Sequence, residues 1–271
     1  MDENLHEATV SDVLRAVLSD ATGDVFAVSP SAETIEDLVS VLGGLDGDAS
    51  VRLLAPEDTL KHVMDDFVVA GSAADLIADG ALELRTGEAG SGTLLVTGDA
   101  VVSVVEAGDR VAGLVTTDES FVGRATDRFD ERWAAAPAYQ LRTPPLSEVR
   151  ATLERDIGAE TASDFEAMLD ALGTVRGDDE LDEVTISLLV AAKNRELLYD
   201  ISKWGEDVGI ASKATFSRTK TKLEDVGVID TEKVPIDVGR PRLRLLLGDD
   251  RLRDAEAADL ATLARTMLDA A

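Results

Sequence analysis

Apolar residues recur along the chain in two rhythms, one helical and one alternating. Over residues 4–21, Leu5, Val10, Val13, Leu14, Val17 and Leu18 fall on or near one face of a helical wheel and predict an amphipathic helix. DVFAVS (24–29) predicts a short apolar strand, and Ser29 with Pro30 the N-cap and first residue of a helix reaching about Leu42. VRLLA (51–55) predicts a second strand, followed by PEDTLKHVMDDF and a further helix around 72–79. LELRT, GTLLVTG, VVSVV and RVAGLVTT predict four more strands between 82 and 117, with turns at Gly90 to Gly92, Gly98-Asp99 and Gly108-Asp109. A helix over about 118–135 carries Phe121, Val122, Ala125, Phe129 and Trp133 at helical spacing. Strands separated by helices pair in parallel and strands separated by tight turns pair as hairpins, so this part reads as an α/β (α+β) sandwich.

APAYQLRTPP (136–145) breaks the pattern with three prolines, which exclude helix across Pro144-Pro145. Beyond it the chain turns mostly helical, over about 146–157, 160–174 and, after the polar RGDDE, 181–196. A helix near 199–207, the turn VGIAS, a helix over about 212–226 stopped by Gly227, and two strands, VIDTEKVP and LRLLLG, complete the order. That order is a winged helix-turn-helix, with Gly209 in the tight turn and Gly239 at the wing tip. A last helix, about 254–270, aligns Leu260, Leu263, Ala264, Met267 and Leu268 to pack on its own domain or on a twin. The expected division is an α/β sensor or oligomerisation domain over 1–136, a Pro-containing linker over 137–146 and a helical connector over 147–176. The winged helix-turn-helix then occupies 177–248 and the C-terminal helix 249–271.

Charge sharpens the picture. The 271 residues hold 54 acidic and 26 basic side chains, a net charge of −28. Aspartate (33) outnumbers glutamate (21), and arginine (19) outnumbers lysine (7), the composition of a surface suited to a cytoplasm of molar salt or simply of an acidic soluble protein. The charge is uneven: residues 1–189 carry −27, residues 190–244 carry +2 and residues 245–271 carry −3. Six of the seven lysines, all but Lys61, lie in the middle segment, where a polyanionic partner is repelled least.

Within that segment the 212–226 helix turns Phe216, Thr219, Leu223 and Val226 to one side, against the preceding helices. Ala214, Ser217, Arg218 and Thr221 lie opposite, flanked by Lys213, Lys220 and Lys222, and Lys203 lies on the preceding helix. A small, hydroxyl-bearing, cationic face suits a major groove: Arg218 reads a guanine edge, Ser217 and Thr221 bond bases or phosphates, and the lysines meet phosphates. Arg240, Arg242 and Arg244 alternate through the wing, so strand periodicity sends all three to one side, toward a minor groove or the backbone. A winged helix used for protein contact is the alternative.

The run ASKATFSRTKTKLEDVGVID followed by VGRPRLRL resembles the recognition helix and wing of archaeal winged-helix transcription regulators, and the composition and organisation resemble the haloarchaeal TbsP-type regulators. Lys220 departs from that pattern, standing four residues after Phe216 where such helices carry a second core leucine. In the N-terminal part DVFAVSPSAETIEDLVSVL, VRLLAPE and DRFDERWAAA resemble the phospholipase D-like (TrmB-like) sensor domain of archaeal sugar-responsive regulators. The resemblance implies control of metabolic genes and a binding fold without catalysis, because phospholipase chemistry needs a lysine two residues after a histidine. His6 is followed at that spacing by Ala8 and His62 by Met64.

Other enzymatic signatures are missing as well. GEAGSG (87–92) matches neither GxGxxG nor GxxxxGK[ST], no GxSxG occurs, two histidines 56 positions apart make no zinc set, and there is no cysteine. No cofactor and no metal are expected, and the chain reads as a non-enzyme. Ser29, Ser31 and Thr34, at a helix N-terminus after a buried strand, are the candidates for an anionic effector, the alternative being that Ser29 only caps the helix. The start MDENLHEATV resembles no signal peptide and no apolar run spans a bilayer, so a cytoplasmic protein without membrane contact is expected. The expected partners are promoter double-stranded DNA, a small metabolite and a second copy, because two linked groove contacts raise specificity.

Overall fold

The computed structural model describes residues 4–45, 47, 49–87, 90, 92–173, 181–236 and 241–270. The chain divides into two compact units, Met1–Pro145 and Leu146–Ala271. Among the described residues no helix is long and apolar enough to cross a membrane.

The first unit is built on one seven-stranded sheet in the order β1-β7-β6-β5-β2-β3-β4. β2 (Gly23–Val28), β3 (Ala49–Ala55) and β4 (Leu82–Thr86) run parallel, separated by α2 (Ala32–Gly43), α3 (Glu57–Met64) and α4 (Phe67–Ala78). β5 (Leu94–Val96), β6 (Val101–Ala107) and β7 (Arg110–Thr116) add antiparallel neighbours. Alternation along β2 sorts its side chains. Val25 and Ala27 face a core shared with α1 (Val10–Asp20) and α2 to α4. Phe26 and Val28 face Val122, Phe129 and Trp133 of α5 (Glu119–Ala135). Coverage on both faces is why β2 reads as an unbroken apolar run rather than an alternating one.

Two expectations are corrected here. Residues 5–7 do not extend the first helix but form β1 (Leu5–Glu7), antiparallel to β7, with Leu5 opposite Gly113. The helix starts after Thr9, whose hydroxyl accepts the Asp12 N–H at 3.2 Å, so a hydroxyl cap outweighs the apolar spacing that ran back to Leu5. Ser29 does not cap α2 either. It takes a left-handed φ of 57° at the end of β2 and donates its N–H to the Leu54 carbonyl, leaving Ser31 as the cap. The Gly90 to Gly92 turn, the RGDDE segment and the wing tip at Gly239 fall wholly or partly outside the described residues.

The second unit is helical around α8 (Glu183–Lys193), in which every residue from Val184 to Ala192 is buried. α6 (Leu146–Asp156) and α7 (Ala159–Gly173), expected as a connector, belong to this same core: Phe165 is fully buried edge-on to Trp204, whose indole N–H donates to Thr152 Oγ1 at 3.0 Å. The C-terminal helix divides into α11 (Asp250–Arg253) and α12 (Ala257–Asp269), and α12 packs on α7 and α8 of its own chain.

Candidate nucleic-acid interface

Two helices and a hairpin build the candidate site. α9 (Leu198–Val208) buries Ile201 and Trp204 and ends at Gly209, whose φ of 93° is the left-handed conformation that lets the chain turn at once. Ser212 then caps α10 (Lys213–Asp225), its hydroxyl accepting the Thr215 N–H at 3.2 Å. The two helices cross closely because position 205 is glycine: a Cβ there would lie 2.4 Å from the Phe216 ring. β8 (Ile229–Val234) and β9 (Arg242–Leu247) form the wing, and a bridge from Leu197 to Arg244 adds a short third member.

α10 buries Phe216, Lys220 and Leu223 and exposes Ala214, Ser217, Arg218, Thr221 and Lys222, with Lys213 half-buried at its start. Among the described residues Arg218 and Lys222 make no ion pair; Arg218 donates only to Thr215 Oγ1, at 3.3 Å. Thr221 donates its hydroxyl back to the Ser217 carbonyl at 3.0 Å, leaving oxygen lone pairs outward. α10 has no acidic residue of its own in its first turn; the Glu206 carboxylate of α9 accepts the Lys213 N–H there at 3.4 Å, beside the Ser212 cap.

Lys220 is corrected out of the groove-facing set. It occupies the core-leucine position between Phe216 and Leu223, its stem buried and its ammonium paired with Glu224 at 2.6 Å. Glu224 also accepts the Thr231 hydroxyl at 2.8 Å, so this carboxylate links α10 to β8 while holding the lysine.

Four further candidate cations among the described residues each carry a carboxylate from their own unit. Lys203 pairs with Asp207 one turn on, and Lys213 with Glu206 of α9. These hydrogen-bonded carboxylates hold both ammonium groups above the usual lysine range, and Lys213 in turn holds Glu206 below the usual carboxylate range. Arg242 bonds Asp200 at 3.2 Å while its guanidinium lies 4.4 Å over the Tyr199 ring. Arg244 bonds Glu232 at 3.0 Å, and Glu232 also holds Arg195 at 3.5 Å. Arg240 falls outside the described residues. Sequence reasoning missed Tyr199, which stands half-exposed at the start of α9. In a chain with only two tyrosines its place beside Lys203 was a usable signal, whereas its partnership with Arg242 spans 43 positions.

In the first unit the proposed effector hydroxyls are mostly committed to the fold. Ser31 Oγ bonds Thr34 Oγ1 at 2.9 Å and accepts the Thr34 N–H, and Thr34 is buried. A cleft of about 630 Å³ lies elsewhere, between α3 and residues 137–143, with Lys61, Asp65, Tyr139 and Arg142 in its lining. Burial, aided by the Asp65 carboxylate, raises the Tyr139 phenol. Among the described residues no group of three or more His, Cys, Asp or Glu is arranged to hold a metal ion.

A winged helix-turn-helix unit following an α/β sheet unit is the class of protein that these two folds define. The N-terminal family model of the TbsP-like transcriptional regulators matches residues 2–144, and the model of their C-terminal helix-turn-helix domain matches residues 145–265. The chain belongs to the TbsP-like transcriptional regulators. It is similar over 51% of its length to TrmBL2, an archaeal chromatin protein whose structure is described as showing a novel mode of DNA binding. There the identity is 14%, the TM-score 0.36 and the coverage 55% of that chain. It is similar over 51% of its length to Nuc, a phospholipase D family member from Salmonella typhimurium, at 14% identity and TM-score 0.34, covering 99% of that chain. No curated protein matches the chain.

Proposed function

We propose that the protein is a sequence-specific regulator that binds promoter double-stranded DNA as a homodimer in the cytoplasm of a halophilic archaeon. α10 enters the major groove with Arg218 on a base edge, Ala214, Ser217 and Thr221 allowing close approach, and Lys222 on a phosphate. Lys203, Lys213 and the wing arginines Arg240, Arg242 and Arg244 follow the flanking backbone. The reading is carried by one observation: in a chain of net charge −28, the exposed face of α10 holds Arg218 and Lys222 with no ion pair among the described residues. The first unit senses a small metabolite or joins two copies, through Ser29, Ser31 and Thr34 or through the 137–143 cleft, and performs no catalysis. The target genes are metabolic.

The internal pairing of Lys203, Lys213, Arg242 and Arg244 favours a second reading, an adaptor whose winged helix meets protein. Enrichment of duplexes from a random-sequence pool separates the two. A regulator enriches a discrete motif, and Arg218→Ala blurs it at one position in each half-site. An adaptor enriches nothing above the starting pool.

A further inference from the structure

Four of the six candidate DNA-facing cations among the described residues are already held by carboxylates: Lys203 by Asp207, Lys213 by Glu206, Arg242 by Asp200 and Arg244 by Glu232. None of these pairs is buried deeply; the side chains are between about a third and three fifths exposed, so each can open without tearing the core. A cation that leaves its carboxylate for a DNA phosphate does two things to the solvent. The phosphate gives up a condensed counterion, as in any protein–DNA contact. The abandoned carboxylate, now bare on an acidic surface, takes one up.

We infer that DNA binding by this domain is a carboxylate-for-phosphate exchange at Lys203, Lys213 and Arg242, in which cation uptake by Asp207, Glu206 and Asp200 cancels the counterion release of those three contacts. The inference rests on the DNA-binding reading and deepens it. Charge balances at each step: one ion pair opens, one forms, one cation leaves the DNA and one joins the protein. Arg244 differs, because Glu232 keeps Arg195 when Arg244 departs and so needs no cation from solution. Lys222 has no carboxylate to abandon, and its release is uncompensated, while Arg218 meets a base edge rather than a phosphate. Only the Arg244 and Lys222 contacts contribute to the salt dependence.

Five uncompensated phosphate contacts correspond to a slope of log K against log salt of about −4.5 per domain, and two to about −2. The shallower slope lets affinity survive in concentrated salt, where counterion release yields little. It also assigns a binding role to three carboxylates that touch no DNA: they set how strongly salt opposes the complex.

The test uses the full chain and the duplex enriched from the random pool, with affinity measured across a potassium chloride series. Asp200→Asn, Glu206→Gln and Asp207→Asn together remove the uptake sites, and the slope is expected to steepen by about 2 to 3. A control carrying Glu83→Gln, Asp127→Asn and Glu131→Gln changes net charge equally. Its three carboxylates are exposed, lie outside the interface and make no ion pair among the described residues, so it keeps the wild-type slope. Should the triple variant not fold, Glu206→Gln alone is expected to steepen the slope by about 0.9. Equal slopes in wild type and the interface variant overturn the exchange while leaving DNA binding intact. Equal steepening in the control assigns the effect to net charge and also overturns it. Failure to enrich any duplex overturns the DNA reading, and this inference with it.

Discussion

α5 and α10 are both amphipathic helices with several cations, yet their electrostatics differ. α5 carries Arg124, Arg128 and Arg132 interleaved with Glu119, Asp127, Asp130 and Glu131, so its acids lie at its start and through its second half. α10 carries Lys213, Arg218, Lys220 and Lys222 and confines its acids, Glu224 and Asp225, to the last turn. Glu119 and the Asp118 cap sit at the positive end of the α5 dipole and favour the helix itself. α10 has no acid of its own in its first turn and takes that help from outside the helix, the Lys213 N–H meeting Glu206 of α9 and the Thr215 N–H the Ser212 cap. The count of cations does not set the two helices apart. What does is the exposed face of α10, Ala214, Ser217, Arg218, Thr221 and Lys222, which has no acid of its own helix before Glu224.

The largest expected effect breaks the scaffold under α10 and leaves α5 untouched. Phe216 is fully buried against Gly205, so Phe216→Ala should cost the second unit about 3–5 kcal/mol. In differential scanning calorimetry the second unit's transition should fall while the first unit's stays in place; a common shift of both would contradict the independent cores described above. Next in size, Arg218→Ala should cost about 1–3 kcal/mol of affinity for the best duplex, whereas Arg128→Ala on α5 should cost nothing measurable. Equal losses by fluorescence anisotropy would remove the distinction between the two helices.

Lys220→Met sharpens the comparison further, since it deletes a cation from α10 that does not face outward. DNA affinity is expected to stay within twofold of wild type, with stability modestly lowered, because an apolar side chain of similar length fits the leucine position but Glu224 loses its cation. A tenfold loss of affinity would return Lys220 to the interface. The smallest effect concerns α11. Asp249 is held down to about 2 by the Arg251 hydrogen bond first and its backbone N–H second. A folded-state value below the unfolded one stabilises the fold above the ordinary aspartate range, and this contribution fades as pH falls toward 2. Carbon-13 titration of Asp249 should show the depression in wild type and most of it lost in Arg251→Ala.

The exposed face of α10 was legible because helical geometry alone assigns Phe216 and Leu223 inward and Ala214, Ser217, Arg218 and Thr221 outward. Lys220 was not assigned correctly, because its charge suggested solvent and only the core around it shows that the stem is buried. β1 escaped because three residues cannot display a period, and Leu5 happened to continue the α1 face. Of the carboxylate partners, Asp207 stands at helical spacing from Lys203. Asp200 for Arg242 and Glu232 for Arg244 exist only once the wing is folded. Ser29 and Ser31 stand two residues apart with the same chemistry, and a backbone φ decides which one caps α2.

Mapping the tagged protein across its own chromosome, wild type beside Arg218→Ala, tests the central claim most directly. The account predicts discrete promoter peaks in wild type that vanish in the variant although its protein level is unchanged. Peaks that persist in Arg218→Ala, or the absence of enrichment in wild type across growth conditions, would contradict it.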